Sequence, residues 1–257
     1  MTIFCFTGTG NSLAVAKTIA GEDGNIISIP QVVDGGNLSF KDDAIGIVFP
    51  TYGLAMPNMV RKFLSRAKFD TKYLFGIATY GNARGGHGGV TDNLQKHAEK
   101  NGYRFNYTNH ILMVDNFVNI FEIGAEIAKI PSKKIDENLG LIMKDITMRK
   151  GYESKSGMVG RMLTGIFGGK SEDGGSPPKY IVNDKCNKCG ICTKVCPSKN
   201  IAVNTDVKFG NKCEKCYACL HLCPQNAVHL KSQRSEKRWR NPNVSVNEII
   251  EANNRTD

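Results

Sequence analysis

A single cysteine, Cys5, precedes residue 186 in this 257-residue chain, and tryptophan occurs once, at Trp239. No apolar run approaches the ~18 residues that a membrane-spanning helix requires, so stable membrane insertion is not expected. Met1-Thr2-Ile3-Phe4-Cys5 leads directly into a domain. It has no basic segment, apolar stretch and cleavage site of the kind that mark a secretory leader. A disulfide framework needs an oxidising compartment; the expectation is instead a reducing, low-oxygen cytoplasm. Acidic residues are in deficit, 24 against 34 basic, for a formal net charge of +10.

What is present is concentrated. Eight of the nine cysteines lie between residues 186 and 223, in one pattern written twice. Cys186-x-x-Cys189-x-x-Cys192-x-x-x-Cys196-Pro197 is followed by Cys213-x-x-Cys216-x-x-Cys219-x-x-x-Cys223-Pro224. Each run is the ligand set of a bacterial-type iron–sulfur protein. A cubane cluster needs thiolates arriving from roughly tetrahedral directions. Two-residue gaps let a tight loop wrap three of them around one cluster, and the fourth, ahead of the proline, serves the other cluster. The spacing assigns Cys186, Cys189, Cys192 and Cys223 to one [4Fe–4S] cluster, and Cys213, Cys216, Cys219 and Cys196 to a second. The halves also match beyond the ligands. Lys185-Cys186-x-Lys188-Cys189 repeats as Lys212-Cys213-x-Lys215-Cys216, and Asn200-Ile201-Ala202-Val203 resembles Asn226-Ala227-Val228-His229. This is an internal duplication with an offset of 27 residues. Structural zinc uses paired Cys-x-x-Cys sets and has no use for a third cysteine plus Cys-Pro, twice. From Tyr180 to about Arg234 the segment resembles the two-cluster bacterial ferredoxins, which implies one-electron chemistry.

Residues 1–150 read as alternating strands and helices. Apolar runs at 2–7, 25–29, 44–50, 73–79 and 104–114 have the character of buried parallel strands. Helical patterns fall at 12–20, 57–67, 90–101 and about 132–150, with Pro57 suited to a first helical position and Gly102 to a stop. The expected fold is α/β: a doubly wound, parallel, five-stranded sheet, with a small α+β domain after it. The expected domains are 1–150, a joining segment 151–178, the cluster-bearing domain 179–234 and a tail 235–257.

The first strand runs into Thr7-Gly8-Thr9-Gly10-Asn11-Ser12 and a helix follows at once. Hydroxyls, glycines and an amide aimed at a helix amino terminus make an anion cradle. No Gly-Lys-Ser/Thr follows, so it is not a Walker loop, and it lacks the Gly-x-Gly-x-x-Gly spacing of a dinucleotide site. Open sheets bind ligands outside the carboxyl ends of their strands. Two further strands end there in Thr51-Tyr52-Gly53 and Thr79-Tyr80-Gly81-Asn82. Thr7, Thr9, Gly10, Asn11 and Ser12 match the phosphate loop of the flavodoxins, and the domain resembles that family. The resemblance implies FMN, its phosphate in the 7–12 loop. It makes Tyr52 and Tyr80 candidates for stacking on the flavin ring, although ordinary packing would also account for either tyrosine. Gly53, Gly81 and Asn82 become candidates for the ring edge. The glycine-rich run 81–89 offers Gly86 to the cofactor. His87 within it suits either proton transfer or a solvent-facing role. Cys5, inside the first strand, reads as a buried, inert thiol.

Residues 157–167 could form a short amphipathic helix, either packed on a domain or touching a membrane surface, before a Gly/Ser/Pro-rich linker. Trp239 sits among bases as either a docking point for a partner or part of a tail tied back onto the fold. Residues 1–150 hold 17 basic and 14 acidic groups, and residues 151–257 hold 17 and 10. Bound cofactors must enter this balance, and oxidised clusters and FMN phosphate, at about −2 each, offset much of the excess. Nucleic acid is therefore not an expected partner. A redox protein with an acidic docking surface is.

As a whole the chain resembles the flavodoxin–ferredoxin fusion proteins of anaerobes. That implies an electron carrier working between FMN and two [4Fe–4S] clusters. The alternative is a flavin-dependent reductase of a small oxidant or quinone, with the clusters as its electron supply.

Overall fold

The computed structural model describes residues 1–81, 89–157 and 177–253. Asn82, Gly86, His87 and most of the 157–167 segment lie outside the described residues.

In chain order the first part contains β1 (Thr2–Cys5), α1 (Asn11–Ala20), β2 (Asn25–Ser28), α2 (Ile29–Val32), β3 (Ser39–Lys41) and β4 (Ala44–Pro50). It continues with α3 (Asn58–Arg66), β5 (Lys68–Asp70), β6 (Tyr73–Tyr80), α4 (Val90–Lys100) and β7 (Tyr107–Leu112). After these come α5 (Ile123–Ala128), α6 (Ile130–Lys133), α7 (Ile135–Thr147) and β8 (Tyr152–Glu153). The main sheet runs β2-β1-β4-β6-β7-β8, and every pairing in it is parallel. Without its last strand this is the flavodoxin-like order 2-1-3-4-5. β3 and β5 form a separate parallel pair beside it.

The central strands are apolar nearly throughout because both faces are covered. Leu13, Val15, Ala16 and Ile19 of α1 pack on one face with Leu139, Ile142 and Ile146 of α7. Val60, Phe63 and Leu64 of α3 and Val90, Leu94 and Ala98 of α4 cover the other. Gly46 of β4 is required by close approach, since a Cβ there would lie 2.2 Å from the Phe75 ring.

Three sequence expectations need correction. The sheet has a sixth strand, β8, because the chain beyond α7 returns to the β7 edge, with Tyr152 N–H donating to Asn106 O (3.0 Å) and Ser154 N–H to Thr108 O (2.9 Å). The helix expected over 132–150 is two helices, since Lys134 adopts a left-handed conformation (φ 48°) between α6 and α7. Pro57 is the extended cap residue of α3 (ψ 146°) and not its first helical residue.

The second part repeats itself. β9 (Tyr180–Val182), the short helix Ile191–Lys194 and β10 (Ile201–Val203) recur 27 residues on as β11 (Val207–Phe209), Ala218–His221 and β12 (Val228–Leu230). β9 pairs antiparallel with β12 and β10 with β11. The left-handed residues recur too: Lys188, Gly190 and Lys199 against Lys215, Tyr217 and Asn226. Lys199 is thus the counterpart of Asn226, and the sequence match of Asn200 to Asn226 is one residue out of register.

The chain then returns to the first domain. Trp239 is buried, packs with Val114, Val118, Ile123 and Leu220, and donates its ring N–H to Asn11 Oδ1 at 3.1 Å. Asn241 N–H donates to Thr9 O (2.9 Å), and the final helix, Val246–Asn253, ends with Asn253 Nδ2 donating to both Thr7 O and Val195 O (3.1 Å each). Trp239 is therefore tied back onto the fold. Among the described residues no helix is long and apolar enough to cross a membrane.

Replacing Trp239 with alanine removes a buried ring that joins three segments, and should cost about 3–5 kcal/mol of stability. Anaerobic chemical denaturation followed by circular dichroism checks it, and a loss below about 1 kcal/mol would contradict this packing.

Candidate functional site

The carboxyl ends of β1, β4, β6 and β7 share one edge of the sheet, where their loops enclose a cavity. The 7–12 loop forms its floor. Gly10 takes φ 96°, its N–H donating to Thr7 Oγ1 at 3.2 Å, and α1 starts at Asn11. The first turn of α1 contains no acidic residue. Its N–H groups have no intrahelical acceptor, and the helix dipole adds positive potential there. The side chains are more committed than the motif alone suggests. Asn11 Nδ2 donates to Val114 O (3.0 Å), while its Oδ1 accepts from Trp239 and from Asn241 Nδ2 (3.3 Å). Ser12 Oγ pairs with Thr79 Oγ1 at 2.9 Å, and Thr9 Oγ1 accepts from Asn116 Nδ2 at 3.0 Å. An anion in this loop would be held mainly by backbone N–H groups, with the hydroxyls positioning them.

The wall from β4 is a tight turn. Tyr52 and Ala55 exchange both backbone hydrogen bonds (2.9 and 3.0 Å) across Gly53 (φ 55°) and Leu54 (φ 67°). A leucine in the left-handed region is uncommon. Thr51 Oγ1 and the Tyr52 hydroxyl are buried beside the cavity without a protein partner. Buried polar atoms are rarely left so, and a polar ligand in the cavity would satisfy them.

The wall from β6 holds Thr79, Tyr80 and Gly81. Gly81 rests on Asp115 so closely that a Cβ would lie 2.4 Å from its Cα. The buried Lys133 donates to Gly81 O at 2.9 Å and pairs with Glu126 at 3.5 Å, fixing this loop from behind. Burial pushes the Asp115 carboxyl above its ordinary range, and pulls the Lys133 ammonium below its own. Val114–Asn116, at the end of β7, form a fourth wall that the sequence reading missed. The strand-end rule that selected the other loops applies to it as well.

The cysteines fall into two neighbourhoods. Cys192 lies in the field of Cys223, Cys186 and Cys189; Cys216 lies in that of Cys196, Cys213 and Cys219. Backbone N–H groups of Asn200, Lys215 and Ala227 point at Cys196, Cys213 and Cys223 sulfurs, each at 3.3 Å. All nine cysteines are unpaired, and a small cavity is enclosed by Cys186, Cys189, Cys192 and Cys223. Among the described residues no three Cys, His, Asp or Glu side chains form a single-ion site. Burial pushes the thiols of Cys216 and Cys219 well up, so thiolates there need a cationic partner such as iron. The donor set therefore fits cubane clusters. Cys5 is buried in β1, its thiol also pushed up by burial.

The two sites share a wall. A Cβ on Gly8 would lie 2.8 Å from Cys216 O and 3.1 Å from Cys216 Cβ, with the Tyr52 hydroxyl 2.8 Å away. The half-buried Glu214 accepts from Met59 N–H (3.3 Å) in the first turn of α3, which has no acid of its own. A larger cavity of about 550 Å³ opens between the 51–58 segment, Tyr80, Phe117 and the 213–217 loop. Tyr217, left-handed where the first repeat has Gly190, stacks on Phe117 with ring centroids 5.6 Å apart. Tyr52 and Tyr80 both line this cavity. Gly53 does too, and Gly81 lines both cavities. Phe117, Glu214 and Tyr217 were not among the residues singled out from sequence.

Residues 178–224 match the model of the 4Fe–4S dicluster domain family. The chain joins a 4Fe–4S domain to a flavodoxin-like one. No curated protein matches the chain in sequence. Among solved structures, the Trp repressor binding protein of Bacillus subtilis is 13% identical over 44% of this chain and 83% of its own, with a TM-score of 0.30. A protein described as a flavoprotein, from Bacteroides uniformis, is 16% identical over 45% and 90%, with a TM-score of 0.32. The Flv1 flavodiiron core of Synechocystis is 17% identical over 55% and 36%, with a TM-score of 0.28. The flavodoxin-like assignment rests on the strand order, not on these distant likenesses.

Gly8→Val forces three carbons into a space already closed by the Cys216 backbone. It should destabilise the protein by about 1–3 kcal/mol and disturb the 4Fe–4S domain from outside its own sequence. Iron content and melting temperature unchanged from wild type would refute the shared wall.

Proposed function

We propose that this chain is an electron carrier that binds FMN and two [4Fe–4S] clusters and passes electrons between them and an external protein. The observation that carries this reading is the contact of Gly8 with Cys216, which places the candidate phosphate loop against a candidate cluster ligand. Bound FMN would supply two-electron exchange with hydride donors and one-electron exchange with clusters.

The chain's own residues then have distinct tasks. The 7–12 backbone and the amino terminus of α1 hold the phosphate, and Thr51 and Tyr52 offer hydroxyls that have no other partner. Tyr52, Tyr80 and Phe117 border the space for the ring, with the Tyr52–Ala55 turn and Gly81 at its edge. Cys213, Cys216, Cys219 and Cys196 hold the inner cluster beside that space, and Cys186, Cys189, Cys192 and Cys223 hold the outer one. Cys216 and Cys219 are buried, and Glu214 and the Trp239 segment tie the inner loop to the flavodoxin-like domain.

Protein purified and reconstituted without air should contain about eight irons and eight labile sulfides and one FMN. FMN should bind more tightly than riboflavin, and Ser12→Asp, which puts a carboxylate at the helix terminus, should weaken FMN on the order of tenfold while sparing riboflavin. A chain that takes up no flavin would end this reading. The crossed ligation has its own check. Cys196→Ser should abolish the EPR signal of the inner cluster, and Cys223→Ser that of the outer, although each lies in the other cluster's motif. Loss of the cluster local to each motif instead would overturn the assignment.

A further inference from the structure

The two cysteine loops are alike in backbone but not in surroundings. The 213–219 loop is covered by the flavodoxin-like domain, with Cys216 and Cys219 buried. The 186–192 loop faces outward, with Cys189 exposed and Cys186 partly so. We propose that this outward face is the docking surface for an acidic redox protein, which exchanges single electrons with the chain there. The proposal rests on the electron-carrier reading above and adds to it the place of exchange and the chemistry of the partner.

Charge carries the argument. Residues 178–224 contain eight lysines and three acids, Asp184, Asp206 and Glu214. Glu214 is turned inward onto α3. Seven of the lysines are exposed, against two exposed acids. In the flavodoxin-like domain many basic side chains are matched, among them Lys41 with Asp70, Lys62 with Asp34, Lys72 and Arg149 with Asp43, and Lys150 with Asp145. Lys185, Lys188, Lys194, Lys208 and Lys212 form no ion pair among the described residues. Two oxidised clusters, at about −2 each, do not reverse the sign of this segment. Exposed charges of one sign act on encounter: they raise the association rate and orient the partner, and salt screens them.

The same charge would attract nucleic acid. Yet none of the three aromatic residues of this segment is fully exposed, and two of them, Tyr180 and Phe209, stack on each other at 4.6 Å. No stacking platform for bases is offered. What the face does offer is a thiolate ligand at the surface. One electron crosses, oxidising one protein and reducing the other, with no bond made or broken and no proton required.

The test uses the full-length protein reconstituted with clusters and flavin, and an acidic two-cluster ferredoxin as probe. Association is measured by titration calorimetry, and electron exchange by stopped-flow absorbance, each at low and high salt. K185E/K194E/K208E should weaken association and slow exchange about tenfold or more at low salt, and the difference should shrink as salt is raised. K72E, which reverses a paired lysine of the other domain, should leave both unchanged. Iron and sulfide counts on each variant separate loss of docking from loss of clusters. Retained tight association of the triple variant, salt-insensitive exchange in the wild type, or an effect confined to RNA binding would each overturn the proposal. If clusters or flavin fail to assemble in the wild type, it is the electron-carrier reading that fails.

Discussion

The structure is organised by one steric constraint: the backbone of the 7–12 loop and the backbone of the second cysteine loop touch at Gly8 and Cys216. Little else could bring an anion-binding helix terminus and a buried thiol set this close, since any side chain at position 8 would separate them. Several other features serve this contact. Glu214 neutralises the amino terminus of α3, Asn116 links Thr9 to His221, and Trp239 clamps Asn11 from the far side. His221 takes part only as a neutral ring: burial pulls it down to about 4, its Nδ1 accepting from Trp239 N–H at 3.1 Å while Nε2 lies 2.7 Å from Asn116 O. All but the Trp239–His221 bond connect residues more than a hundred positions apart. The two domains are thereby one packed body near the site, and Val195, Ala218 and Leu222 of the second belong to the same apolar cluster as α1 and α7 of the first.

How far the sequence could be read follows from the range of each signal. Cysteine spacing is local and chemically demanding, so the duplication was legible down to its 27-residue offset; the one-residue slip at Asn200 arose because asparagine recurs near a position where the structure repeats only a backbone conformation. Strand identity was equally legible, because a strand covered on both faces must be apolar throughout. β8 was not, since two residues carry no pattern and their pairing is set by where α7 releases the chain, and the three-residue β3 and β5 were equally short of one. The phosphate loop showed its residue types but not their commitments. Nothing in Thr-Gly-Thr-Gly-Asn-Ser indicates that Asn11 is held by a tryptophan 228 positions away.

The fourth wall illustrates a different limit. Asp115 and Asn116 follow β7 without a glycine or a Thr-Tyr-Gly tip to attract notice, and only the rule that ligands gather at the carboxyl ends of strands points to them. Lys133 and Glu126 are harder still. A buried lysine at the end of a four-residue helix looks in sequence like any surface lysine. It is recognisable only when Gly81 O and the Glu126 carboxylate are seen to enclose it.

Several conflicts between local preference and observed structure lie at this sheet edge. Leu54 and Tyr217 hold left-handed conformations that suit glycine, and Tyr217 does so where its own repeat places one. Thr51 and Tyr52 bury hydroxyls without partners, and Lys133 buries an ammonium. Each is unfavourable by itself, by about 1–3 kcal/mol for strain or an unmade bond; Thr51, Tyr52, Leu54 and Tyr217 border the same connected space, and Lys133 lies behind it. Other left-handed residues are different in kind: Lys134 and Arg149 fall at helix ends, where such residues commonly stop or start a helix, and Lys188, Lys199, Lys215 and Asn226 recur at matching positions of the two cysteine repeats. Sequences usually agree with their structures at every level, and departures that cluster in one place mark where something besides stability has been selected. Here that place lies between an anion-binding loop and a buried set of thiols, where a flavin ring and a cluster would have to meet.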